Sequence, residues 1–170
     1  MESLSTVLKR PHQIRIIAFW IFTLLVAYEN ASGAMWTFTQ LGYMRAMLAH
    51  LGYPPYFSWI LGPWQLACAA TLLAPGLPRV KEWAYAGAFF NYSSAIVSHL
   101  FVGDAPQELI GPAVMALFTI LSWTLRPADR RLTGSTPISE TSTKSWIGAA
   151  VILALMLTLW RFSIPPTSTH

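Results

Sequence analysis

Ile14–Trp36 reads IRIIAFWIFTLLVAYENASGAMW, 23 residues in which Glu29 is the one acidic side chain. About 20 apolar residues at 1.5 Å each cross a hydrocarbon core as a helix. Runs of the same kind recur at Tyr56–Leu73, Glu82–Val102, Ile110–Leu125 and Trp146–Phe162. Backbone polar groups find no water in lipid, so such runs fold as helices that bond themselves. The expected fold is all-α: a polytopic membrane four-helix bundle with a fifth, C-terminal transmembrane helix. Only 11% of the residues are charged, against about 25% in soluble domains. The first run also has the basic start and small residues (Ala31–Ala34) of a signal peptide. Glu29 sits badly in such a segment and further spans follow, so the expectation is an uncleaved span.

The segments between runs set the boundaries. Residues 1–13 form a short polar cytoplasmic segment, 14–127 the four-helix domain, 128–145 a polar linker, 146–163 the fifth span and 164–170 a disordered tail. In the first connection, MRAMLAHL places Met44, Met47, Leu48 and Leu51 on one side, which predicts a short amphipathic helix along the membrane surface. Pro63 interrupts the second span and is expected to kink it. Ala67, Ala69 and Ala70 allow close helix packing there. Pro112 is expected in the first turn of the fourth span.

Charge orients the bundle. With the N-terminus in the cytoplasm of a bacterial inner membrane, Lys9, Arg10, Arg15, Arg79, Lys81, Arg126, Arg130, Arg131 and Lys144 fall inside. Only Arg45 and Arg161 fall outside, which completes the 11 Lys and Arg. This is the positive-inside pattern. It accounts for the net charge of +4 without a nucleic-acid partner. The single cysteine, Cys68, excludes an intramolecular disulfide and thiol-exchange chemistry within one chain, and reads as packing.

Polar side chains inside the spans carry the functional reading, because each is costly in lipid. Glu29 lies about 22 Å along the first span, His99 about 26 Å along the third and Asn91 about 14 Å along it. Glu29 and His99 are therefore expected at similar depth, and Gln65 near Asn91. Asn91, Ser94 and Ser98 are spaced i, i+3, i+7 and share a helix face. Together they predict a polar pocket in the outer half of the membrane, roofed by loops with His50, Arg45 and Asp104. The bland readings are interhelical hydrogen bonds: Gln65 to Asn91, Glu29 to His99 or Arg45, and serines bonded to their own helix. The matches Asn30-Ala31-Ser32 and Asn91-Tyr92-Ser93 to the glycosylation pattern fall within spans and carry no weight.

LGYPPYF at Leu51–Phe57, LLAPGLPRVKEWAYAG at Leu72–Gly87, SHLFVGD at Ser98–Asp104 and the Arg126–Pro127 ending resemble the DoxX-like family of small bacterial integral membrane proteins. The resemblance covers roughly residues 14–127. It implies a four-helix bundle, and some relatives are linked to membrane oxidoreductase complexes, including quinone-reducing ones. It leads one to expect Lys where this chain has Gln65 and Asp where it has Asn91. That paired change makes sense if the two side chains touch.

Three functions follow as expectations. In the first, Gln65, Asn91, Ser94, Ser98, Asp104 and His50, with Glu29 and His99, hold a small lipophilic molecule such as a quinone. The protein is then an accessory subunit of a membrane oxidoreductase, and redox chemistry needs a bound cofactor, whose identity the residues leave unknown, or a partner subunit. In the second, Glu29 and His99 are a catalytic acid–base pair acting on an apolar substrate, as in an isomerase or cyclase. In the third, the chain is a structural assembly factor and Glu29 is fully occupied by neighbouring side chains. The expected partners are the bilayer, a lipophilic molecule, and a membrane subunit or second copy of the chain. No metal site is expected.

Overall fold

Among the described residues six α-helices follow one another: α1 (Glu2–Phe38), α2 (Gly42–His50), α3 (Phe57–Leu73), α4 (Pro78–Val102), α5 (Pro106–Leu125) and α6 (Thr143–Leu159). The structure, a computed structural model, describes residues 2–131 and 142–163. No strand occurs among the described residues. The 164–170 tail and most of the 128–145 linker, expected to be disordered and polar, lie outside them. Helices α1, α3, α4 and α5 pack in a closed ring in that order, and α6 lies against α1 and α3.

The breaks between helices are set by residues that cannot continue one. Gly76 and Leu77 both adopt the left-handed region, with φ of 65° and 57°, and Pro78 then opens α4. Gly103 (φ 77°) closes α4. Ala105 is extended and Pro106 takes the first position of α5. The expected start of that helix at Ile110 is therefore too late, and Pro112 lies inside α5 rather than in its first turn. Proline loses no hydrogen bond at a helix start, so Pro106 fills the role and Pro112 is left in the interior. Residues 2–13, read as a polar segment, continue α1. Pro63 is accommodated within one continuous α3.

His12–Phe38, Pro106–Leu125 and Thr143–Phe162 are each long and apolar enough to cross a membrane. Helix α3 is apolar but has 17 residues. Helix α4 has 25 residues and carries the polar face expected of it. The run at Trp146–Phe162 forms α6 and a single 3-10 turn, Trp160–Ser163. Ala27, Ala31 and Ala69 are fully buried beside Leu73 and Met156. Small residues there let α1, α3 and α6 approach closely, as packing within lipid requires.

The end of the bundle where α1 begins is solid. Val26, Leu72, Tyr85, Ala88 and Ala116 form its apolar core. Thr23 donates to the Phe19 carbonyl at 2.7 Å, which leaves its oxygen to accept from Ser122 at 2.7 Å. Ser122 in turn accepts from the Tyr85 hydroxyl at 2.8 Å. This chain ties α1, α4 and α5 together with every hydroxyl used.

Basic side chains close the helix C-termini at the same end. Lys81 is 1% exposed and its ammonium donates to the carbonyls of Thr71, Leu72 and Ala74. Arg130 adds a bond to Leu72 O at 3.1 Å. Arg15 reaches Leu125 O and Arg126 O, and Arg131 reaches Thr124 O and Arg126 O. The last carbonyls of a helix lack intrahelical partners and sit at the negative end of its dipole. Arg126 bonds Glu82 at 2.8 Å and lies over the Tyr85 ring at 4.8 Å.

Candidate functional site

The opposite end of the ring is hollow. A cavity of about 1020 Å³ lies among α1, α2, α3, α4 and α5. Of the residues singled out from the sequence, Glu29, Gln65, Asn91, Ser94, His99, Asp104 and His50 all line it. Ser98 stands just outside the lining, where it donates to Ser94 O at 2.9 Å and accepts from the Tyr53 hydroxyl at 2.7 Å. Arg45 is exposed on α2 and does not line the cavity.

Helix periodicity explains the convergence. On α1, Glu29, Gly33 and Trp36 are spaced i, i+4, i+7 and present one stripe to the cavity. On α4, Gly87, Asn91 and Ser94 do the same from across the ring. Helix α2 forms the roof, with Met44 and Leu48 buried beneath it.

Two pairings expected from the sequence do not form. His99 does not bond Glu29. Its Nδ1 lies 2.6 Å from Asp104 Oδ2, and the other oxygen of the same carboxylate lies 2.7 Å from His50 Nε2. Asp104 follows the α4 terminus by two residues, so it folds back onto His99 of its own helix end. It also reaches His50 at the end of α2, and so ties the roof to the bundle. Hydrogen bonds from His99 first and His50 second hold the Asp104 carboxyl below its usual pKa.

Glu29 makes no hydrogen bond or ion pair to any described residue, neither to His99 nor to Arg45. Gln65 does not bond Asn91 either. Its Oε1 is buried without a partner, because the amide turns toward α1, where a Cβ on Gly33 would come within 2.8 Å of it. Gly33 is thus the residue that gives Gln65 its place.

Other groups line the cavity besides those singled out from the sequence. Trp36 Nε1 is buried without a partner, and its ring meets Tyr43 edge-on at 6.1 Å. Tyr92 is 6% exposed and accepts from Asn30 Nδ2 at 2.8 Å, while its own proton has no acceptor among the described residues. The spacing of Trp36 from Glu29 is a signal readable in the sequence. Tyr92 carried none, since it adjoins the polar stripe without belonging to it. Glu108 also lines the cavity. No group of three or more His, Cys, Asp or Glu side chains suited to a metal ion occurs among the described residues.

The arrangement can therefore hold a molecule with both hydrogen-bond donors and acceptors. Glu29 and Gln65 Oε1 accept, and Trp36 and Tyr92 donate. No Lys or Arg lines the cavity. Aromatic and aliphatic side chains supply the rest of the wall, as in most small-molecule sites.

Fold and cavity together define a multi-pass helical membrane protein with a chamber inside its bundle. The sequence profile of the DoxX-like family matches residues 21–122. That stretch is more than half of the chain, and the protein belongs to the DoxX-like family. No curated protein and no solved structure matches the chain.

Proposed function

We propose that this protein binds a small lipophilic molecule with a neutral polar head in the chamber, a quinone or quinol being the chemistry that fits best. The observation that carries the reading is Glu29. It is a carboxyl within a membrane span, with open space beside it and no hydrogen-bond partner among the described residues. A group so costly to place in lipid is explained by a ligand that meets it. A quinol hydroxyl suits Glu29 and Gln65 Oε1, and a carbonyl or second hydroxyl oxygen suits Trp36 Nε1. Three carboxyl groups and no Lys or Arg on the walls disfavour an anionic head.

In this reading the N-terminus faces the cytoplasm of a bacterial inner membrane and the chamber lies in the outer half. Electrons come from a cofactor or partner subunit of an oxidoreductase, to which this chain presents the ligand. The test is native mass spectrometry with an absorption spectrum of the detergent-purified protein. A co-purified quinone, or another lipophilic molecule, that is lost in Glu29→Ala supports the reading. A ligand-free protein whose stability is unchanged by Glu29→Ala favours the assembly-factor reading instead.

The contact between Asp104 and His99 supports a second reading, acid–base catalysis. A carboxylate on Nδ1 fixes an imidazole in one orientation, here with Glu29 lining the same cavity from α1. In that case the co-purified molecule is converted by the wild type and stays unconverted in Glu29→Gln, as followed by mass spectrometry.

A further inference from the structure

A second, smaller space adjoins the chamber. It is a groove of about 300 Å³ along the seam between α3 and α4. Trp64, Ala67 and Thr71 line it from α3, and Val80, Trp83 and Ala84 from α4. Leu61, Gln65, Gly87 and Asn91 line both spaces, so groove and chamber adjoin along these four residues.

Three observations make the seam an opening toward lipid. First, it is the most loosely packed of the four seams of the ring. Second, Trp64 and Trp83 on its rims are 71% and 76% exposed, and Phe90 is 64% exposed although it lines the chamber. Third, a Cβ built on Gly87 meets nothing within 4 Å. At the α1–α3 seam, by contrast, a Cβ on Gly62 would lie 3.0 Å from Phe38 and 3.1 Å from Thr37. The groove runs from Asn91 to Val80, about 16 Å along α4, and its wall is almost wholly apolar. The roof is meanwhile fastened by the bonds from Asp104 to His50 and from Tyr53 to Ser98.

We infer that the α3–α4 seam is the tail-binding groove of the chamber and its entrance from the bilayer, so that the ligand is a single-tailed amphiphile. This rests on the chamber being a ligand site and adds where the tail lies. The head turns inward past Gly87 to Glu29 and Gln65. The tail stays on the lipid side, between Trp64 and Trp83. Hydrocarbon in the groove remains in an apolar medium, whereas a tail led out past the roof would meet water.

The test uses the full chain in lipid nanodiscs and two quinone probes that share a head, one with a single isoprene unit and one with a decyl chain. Binding is read from quenching of Trp fluorescence. Ala67→Phe places a ring in the groove from an exposed position of α3 that lines the groove and not the chamber. The decyl probe is expected to bind at least about tenfold more weakly to Ala67→Phe than to the wild type, a difference of about 1.4 kcal/mol or more. The short probe should stay within about threefold.

Equal effects of Ala67→Phe on both probes, or none on either, would overturn the seam while leaving the chamber standing. If neither probe binds the wild type, both proposals fall. A decyl chain brominated at its end gives a reading that does not need the variant. It should quench less in the double variant Trp64→Phe, Trp83→Phe than in the wild type, and equal quenching overturns the groove.

Discussion

The two ends of the bundle are made from the same four helices and solve opposite problems. At the basic end most polar groups have work within the fold, Arg126 Nη1 being an exception: Tyr85, Ser122 and Thr23 form one chain, and Lys81 and the arginines close helix ends. At the hollow end Glu29 bonds no described residue, and Gln65 Oε1 and Trp36 Nε1 have no partner. A polar group in lipid is affordable when it is satisfied. Polar groups tied into the fold at one end, against unpartnered ones around open space at the other, separate the part that holds the ring together from the part left for something else.

The largest effect expected from this contrast is at Lys81. Lys81→Ala removes a charged donor from three terminal carbonyls of α3 and opens a void. It should lower stability by about 3 kcal/mol, read as the shift in thermal unfolding in detergent. An unchanged midpoint would break the claim that the basic end is the framework.

A matched pair of serines comes next. Ser122→Ala leaves Tyr85 and Thr23 without their shared partner and should cost about 2 kcal/mol. Ser94→Ala, in the chamber wall, should stay within about 0.5 kcal/mol. Equal losses would mean that the hollow end is as structural as the solid one.

The smallest effect concerns the roof. The Asp104 carboxyl has a folded pKa below its unfolded value near 3.8, so its contribution is present above that value. It is lost as pH falls through the lower, folded value. Amides of α2 should therefore exchange with solvent faster in Asp104→Asn than in the wild type at pH about 6, with the gap closing in strong acid. Identical α2 exchange in the two proteins at pH about 6 would show that the two histidine contacts do not hold the roof.

Much of the fold was legible because lipid leaves few choices. The apolar runs became helices, including Trp146–Phe162 as most of α6, and MRAMLAHL became the roof. Pro106 against Pro112 was not legible, because either proline can open a helix and the conformation of the preceding turn decides between them. The stripe of Asn91 and Ser94 facing Glu29 could be read from spacing and depth. The partner of His99 could not. Depth along a span ranks Glu29 and Asp104 as near neighbours of His99, and the local fold-back after Gly103 selects Asp104.

By itself, then, the sequence determined a multi-helix membrane chain, its basic and acidic ends, and the polar residues that share a helix face, because periodicity and the cost of polarity in lipid act along one helix at a time. The ring order, the hollow half, the bridge from Asp104 to His50 and His99, and the gap at Gly87 were decided only by tertiary structure. Each depends on how closely two helices approach, and that distance is set jointly by side chains from both.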